Sequence, residues 1–326
     1  MKGLELARQY YEHAGRPAIE AAFPAYAGRI AAGLCGEGSQ CFGFDDAISQ
    51  DHDFTPGFCL WLDRQTYAEI GDPLRRLYTS LPEEYEGCSV KNVTPEGAGR
   101  LGVFEIGDFY QRLCGCRDIP RDYRTWFFLK SEYLAEAVNG AVFSDPGGEF
   151  TRIRNGLAAG YPEPVRLKKL SAGLAVMAQS GQYNYARCMR RGELTAAVLA
   201  QAEFTRSALR VCHLLNHRYC PYDKWACRSL SQLPRLSEVS GLLTQLSGSS
   251  SQRSEWDPSD PAQYAYRLNT ADQKVVLIEE ICDRVLRELR RQGLTEGRES
   301  FLLAHVPAVL DRVEDDYLKS LPQMEG

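Results

Sequence analysis

Two aspartates separated by one residue, Asp51 and Asp53, follow a Gly38-Ser39 pair after eleven intervening residues in the stretch GSQCFGFDDAISQDHD. On a strand, side chains alternate between faces, so Asp51 and Asp53 would point the same way. Two carboxylates on one face suit a hard divalent cation, Mg²⁺, held against phosphate oxygens. A Gly-Ser turn beside them lets the backbone approach those phosphates closely. The chemistry this pattern would serve is the binding of a divalent cation together with a nucleoside triphosphate. A third acidic group on a neighbouring strand would complete such a metal–phosphate site. Glu105, an acid inside the apolar run Val103-Phe104-Glu105-Ile106, is the best placed by pattern, and Asp108 just beyond it is the alternative.

The elements that must position these groups are legible in outline. Residues 3–32 read as helical with an interruption near Gly15-Arg16-Pro17, and Leu34 to Ser39 as a short strand ending in a turn. Phe58 to Leu62 is an apolar run that suits a buried strand, and 64–80 a helix disturbed at Asp72-Pro73. Arg100 to Ile106 reads as another strand, with a helix near 108–114. Beyond about residue 150 long helical patterns take over, at 164–180, 193–217, 223–232 and 272–293. The expected fold class is therefore α+β, with a mixed sheet domain at 1–145 and an all-helical domain at 146–326.

The chain has 326 residues, 25% of them charged and 44% hydrophobic, the balance of an ordinary globular protein. Its formal net charge of −5 argues against a long nucleic-acid ligand held by general phosphate attraction. Eleven cysteines without a CxxC pair exclude a zinc ribbon and read as reduced, mostly buried thiols. No apolar run approaches a membrane span, and the N-terminus lacks the apolar core of a leader, so a cytoplasmic location is expected.

The string Gly36-Glu37-Gly38-Ser39, Gly43-Phe44-Asp45-Asp46, Ser49 and Asp51-His52-Asp53 resembles the Gly-Ser…Asp-x-Asp signature of the DNA-polymerase-β-like nucleotidyltransferases. It is similar in particular to an uncharacterised bacterial branch of that superfamily. Downstream segments agree, among them Gly140 to Asp145, Tyr161-Pro162, Gly181 to Asn184 and Leu215 to Trp225. One departure is His52, where the superfamily usually carries an apolar residue. The resemblance implies an N-terminal nucleotidyltransferase fold and a helical C-terminal domain like that of antibiotic nucleotidyltransferases. It also implies an Mg²⁺-dependent enzyme that moves a nucleoside monophosphate from a triphosphate, ATP as the first guess, to a hydroxyl of a small molecule. Nucleotidylylation of a protein hydroxyl and a degenerate nucleotide-binding regulator are the alternatives.

Within that frame Asp51 and Asp53 would be the metal ligands, and Gly38 and Ser39 would contact phosphate. In the helical half, Lys168, Tyr183, Arg187 and Lys224 offer cations for phosphates and an aromatic ring for a base. By analogy with the antibiotic-modifying enzymes, Glu193 or Glu203 would be a general base. Asp45 and Asp46, inside the intervening loop, are read as helix caps in preference to substrate contacts.

Overall fold

The computed structural model describes residues 1–50, 53–94, 97, 99–251, 256 and 268–326. The class is α+β, and the chain divides into two compact units, one of residues 1–121 and 129–159, the other of 122–128 and 160–326.

The first unit is built on a four-stranded sheet of β1 (Ala31–Leu34), β2 (Cys59–Leu62), β5 (Gly102–Glu105) and β6 (Ala141–Ser144), in the order β5-β2-β1-β6. A separate two-stranded ribbon joins β3 (Glu84–Tyr85) to β4 (Cys88–Ser89). β1 is antiparallel to both β2 and β6, while β2 and β5 are parallel. Strand β2 is buried on both faces, as its unbroken apolar run demands. Leu60 and Leu62 join Tyr10, Phe58, Ile70, Leu74 and Val103 in one core. Trp61 faces the other way and stacks on Phe150 with ring centroids 3.8 Å apart, with Phe109 edge-on at 5.3 Å.

The helices around this sheet are α1 (Gly3–Tyr10), α2 (Arg16–Ala22), α3 (Ser39–Phe42), α4 (Arg64–Thr79), α5 (Ile106–Cys114), α7 (Ser131–Val138) and α8 (Glu149–Ala158). Two caps read directly from sequence chemistry. The Asp63 carboxylate accepts from Thr66 N at 2.9 Å to start α4, and Asp46 accepts from Ile48 N and Ser49 N at 3.0 and 3.1 Å. Asp45 caps at long range: its Oδ2 accepts from Gly3 N, at the start of α1, at 3.0 Å. Helix α4 runs through Pro73 without a break. The ring removes one N–H donor, and the carbonyl it orphans belongs to Glu69, an exposed residue that water reaches.

The second unit is helical: α6 (Tyr123–Phe128), α9 (Glu163–Met177), α10 (Ala186–Arg191), α11 (Leu194–Leu215), α12 (Asp223–Leu230), α13 (Val239–Gly248), α14 (Gln273–Arg291), α15 (Val306–Leu310) and α16 (Asp316–Ser320). A π-helical segment, Ala178–Tyr185, carries α9 on to α10. In α14, Val275, Ile278, Ile281, Cys282, Val285 and Leu289 form the buried stripe that the 3.6-residue period requires. Among the described residues no helix is long and apolar enough to cross a membrane.

Candidate functional site

Strand polarity brings the loops of the first unit together at one end of the sheet. β1 ends where β2, β5 and β6 begin, because Gly33 pairs with Cys59, Cys59 with Gly102 and Leu34 with Ala141. The turn Cys35 to Ser39, the segment after Asp53, the approach to β5 at Arg100 and the Asn139-Gly140 corner therefore meet at that edge.

Side chains fix each of these loops. Asn139 Oδ1 accepts from Gly36 N at 2.9 Å and its Nδ2 donates to Gly36 O at 2.7 Å, so one side chain holds both backbone groups of Gly36 in the turn. Gly36 and Gly38 both have positive φ, +124° and +99°. Gly140 is strongly favoured: a Cβ there would stand 1.9 Å from Leu34 O, and its φ is +65°. Arg154 Nη2 donates to the carbonyls of Val138, Asn139 and Gly140 at 2.7, 2.9 and 3.3 Å, which holds the same corner from outside. Buried Gln40, on α3, donates to Thr55 O at 3.1 Å and so ties the segment after Asp53 to the Gly-Ser turn.

Asp51 and His52 lie outside the described residues. Asp53 sits in a bend ahead of β2 and takes a left-handed conformation, φ +56°, one of the few that aspartate tolerates without glycine's freedom. The strand begins only at Cys59, so Asp53 does not belong to it. The Asp53 carboxylate accepts from Thr94 N at 2.7 Å and Thr94 Oγ1 at 3.0 Å, and pairs with Arg100 Nη1 at 3.3 Å. Arg100 also pairs with Glu37 through Nε at 2.9 Å, so one guanidinium bridges the Gly-Ser turn and the aspartate.

A further carboxylate completes the cluster. Glu136, in the last turn of α7, is 7% exposed. Burial pushes its pKa up to about 7, Glu37 pushes in the same direction, and Arg100 pulls the other way. The neighbouring Cys35 thiol is pushed up to about 12 by burial and is no nucleophile. The site edge is thus a Gly-rich turn with Asp53 and Glu37 paired to the Arg100 guanidinium, and Glu136 within its electrostatic reach.

Glu105 is not part of it. The residue pairs with Leu62 at the far end of the parallel strands, so the length of β2, ~10 Å at about 3.3 Å per residue, separates that edge from the Asp53 edge. Its carboxylate caps α5 by accepting from Asp108 N at 2.6 Å and pairs with Arg117 Nη2 at 2.7 Å. That answers why an acid ends an apolar strand: it starts the next helix. Asp108 is at the same far end, paired with Arg117. Both line a cavity of about 450 Å³ with Arg64, Tyr67 and Ala68.

In the helical unit the expected nucleotide ligands lie on separate elements. Lys168 is fully buried, and its Nζ donates to the carbonyls of Leu321 and Pro322 at 3.1 and 2.8 Å. Burial lowers its pKa. This ammonium anchors the C-terminal segment, so the expected phosphate contact at Lys168 is here bonded to two backbone carbonyls. Tyr183 and Arg187 do meet: Arg187 Nη1 donates to Tyr183 OH at 2.8 Å and its guanidinium lies 4.7 Å from the ring centroid. Lys224 is exposed on α12 with its Nζ 5.1 Å from the Trp225 ring centroid. Glu193 is exposed at the N-cap position of α11, where its side chain makes no capping bond. Among the described residues no group of three His, Cys, Asp or Glu side chains is set to hold a metal ion.

Sequence reasoning passed over Arg100, Gln40, Asn139 and Glu136. Arg100 had a faint signal, a lone cation just before an apolar strand. The other three had none, since their importance comes from partners distant in the chain.

Residues 126–226 match a family model described as a domain of unknown function, DUF4037. No curated protein matches the chain. Among solved structures, a nucleotidyltransferase-like protein from Exiguobacterium sibiricum 255-15 is similar over 91% of this chain and 90% of that one, at 12% identity and a TM-score of 0.35.

Proposed function

We propose that this protein is an Mg²⁺-dependent nucleotidyltransferase that moves a nucleoside monophosphate from a triphosphate to a hydroxyl of a small molecule. The observation that carries the reading is the convergence at one sheet edge of the Gly36–Ser39 turn with Asp53, Arg100, Glu37 and Glu136. The resemblance of the Gly-Ser…Asp-x-Asp string supports it independently.

Asp51 and Asp53 would hold the cation, which supplies neutralisation of the triphosphate charge and polarisation at the α-phosphorus. Asp53 is a hard oxygen donor of the right kind for magnesium. The chain's own residues would do the rest. The Gly36–Ser39 backbone, left open by glycines, approaches the phosphates. Arg100, now shared between Asp53 and Glu37, is the cation a triphosphate would compete for. The acceptor oxygen attacks the α-phosphorus, pyrophosphate leaves, and the hydroxyl proton passes to a base. A buried carboxyl whose pKa is pushed up to about 7, like that of Glu136, would be matched to that task at neutral pH.

The test is thermal stabilisation by each of the four ribonucleoside triphosphates, with and without Mg²⁺, in wild type and Asp53→Asn. At a ligand concentration 100-fold above Kd, binding to the native state adds about 2.7 kcal/mol. The expected result is an Mg²⁺-dependent rise for at least one triphosphate that disappears in Asp53→Asn. An equal rise in the variant would remove Asp53 from the site, and no rise with any triphosphate in wild type would leave the nucleotidyltransferase reading without support.

A further inference from the structure

Cys114 and Cys116 stand apart from the other thiols. Cys114 ends α5, and Cys116 follows across Gly115, which takes the left-handed conformation of a helix C-cap with φ +85°. The bend turns the two side chains toward each other, and their Sγ atoms lie 3.4 Å apart. A disulfide bond is about 2.05 Å long, so the sulfurs need approach by only about 1.4 Å to bond. Two Cα steps of about 3.8 Å cannot span more than about 7.6 Å. A bend in the middle brings that within the roughly 4.4–6.8 Å a disulfide accepts.

We infer that Cys114 and Cys116 form a reversible dithiol–disulfide site that exchanges with low-molecular-weight disulfides of the glutathione type. The two thiols have different roles. Cys116 is 8% exposed but lies between the exposed residues Gly115 and Arg117, so a small disulfide reaches it first. The hydrogen bond it shares with Cys114 lowers its pKa, which favours the attacking thiolate. The same bond raises that of Cys114, which also lies 3.3 Å from Tyr110 O and is the more buried of the two. Elsewhere, burial pushes up the thiols of Cys35, Cys41, Cys59, Cys212 and Cys282.

The exchange balances in two steps. The Cys116 thiolate attacks one sulfur of a disulfide RSSR, forming a protein–SR mixed disulfide and expelling RS⁻. Cys114 gives up its proton to solvent, attacks Cys116 Sγ and expels the second RS⁻. Two protein thiols are oxidised and one small disulfide is reduced to two thiols. The ring closes next to Arg117, whose guanidinium holds Glu105, the N-cap of α5.

The test uses the full-length native protein and glutathione disulfide, followed by acid quench, denaturation, alkylation and mass spectrometry. Trypsin releases both cysteines in one peptide, LCGCR, Leu113 to Arg117. The expected product is that peptide unalkylated and two hydrogens lighter than its dithiol form, restored by dithiothreitol. Cys114→Ser should instead accumulate glutathione on Cys116, and Cys116→Ser should leave Cys114 free of it. The half-buried Cys88, Cys188 and Cys227 set the comparison. If glutathione adds to those three while LCGCR stays fully alkylated, exposure alone governs reactivity and the proposal falls. Should a serine variant fail to fold, as circular dichroism would report, the wild-type peptide mass alone decides.

Discussion

Glu136→Gln should make the protein more stable at pH 8 and leave it unchanged at pH 4.5. The folded-state pKa of Glu136 is raised, from an ordinary 4.5 to about 7, with burial as the main cause and the negative charge of Glu37 adding to it. Between those values the folded protein holds a proton that the unfolded chain has released. Stability from this group is thus fully present below about 4.5 and is lost as pH rises to about 7. At 1.36 kcal/mol per pH unit, the loss amounts to at most about 3 kcal/mol. Glutamine keeps the shape of the side chain and carries no charge at any pH. Urea denaturation of both proteins from pH 4.5 to 8.5, followed through tryptophan fluorescence, would measure the difference. Trp61, stacked on Phe150 in the first unit, is the reporter. Parallel pH profiles, or a variant less stable at pH 8, would refute the argument and with it the burial of a titrating carboxyl beside Arg100.

Three further outcomes follow from particular contacts. Gly140→Ala sets a Cβ against Leu34 O at a positive φ and should cost ~3 kcal/mol by urea titration. An unchanged midpoint would mean that the corner relaxes freely. Phe150→Ala removes a fully buried ring from the face of Trp61 and should cost about 3–5 kcal/mol, with a shift in Trp61 emission; a cost under about 1 kcal/mol would contradict the stacked core. Lys168→Met keeps most of the buried stem but loses the bonds to Leu321 and Pro322, so carboxypeptidase should trim the C-terminal segment faster. Any triphosphate-dependent stabilisation should survive this variant, and its loss would return Lys168 to the ligand site.

How much was legible depended on whether a residue's partner lay near it in the chain. The buried strand at Phe58–Leu62 and the helices at 64–80, 193–217 and 272–293 all appear within a few residues of their expected bounds, because apolar period and local caps write them directly. β1 was misplaced by three residues. Ala31 and Ala32 read as the end of a helix, yet pairing with β2 and β6 makes them, with Gly33, a strand. Gly33 is needed there because a Cβ would stand 2.4 Å from Ala141 O, a contact no local pattern announces. β6 was not read as a strand at all, since Ala141 to Ser144 gains its identity only beside β1. Glu105 was read as an active carboxylate because an acid in an apolar run asks for a reason. The reason proved to be a cap and an arginine twelve residues on.

The sequence by itself determined the α+β class, the elements with strong internal period, and the Gly-Ser turn with the aspartate that follows it. These depend on spacing along the chain, which folding leaves unaltered. Only the tertiary structure decided which charges share an edge. Strand direction carried Glu105 to the far end, placed Arg100 between Glu37 and Asp53, and brought Glu136 into their field. Burial decided the rest, turning Lys168 from a surface cation into an anchor for the C-terminal segment. Strand order and burial belong to contacts between residues far apart in sequence, and a side chain's charge takes its role from those neighbours.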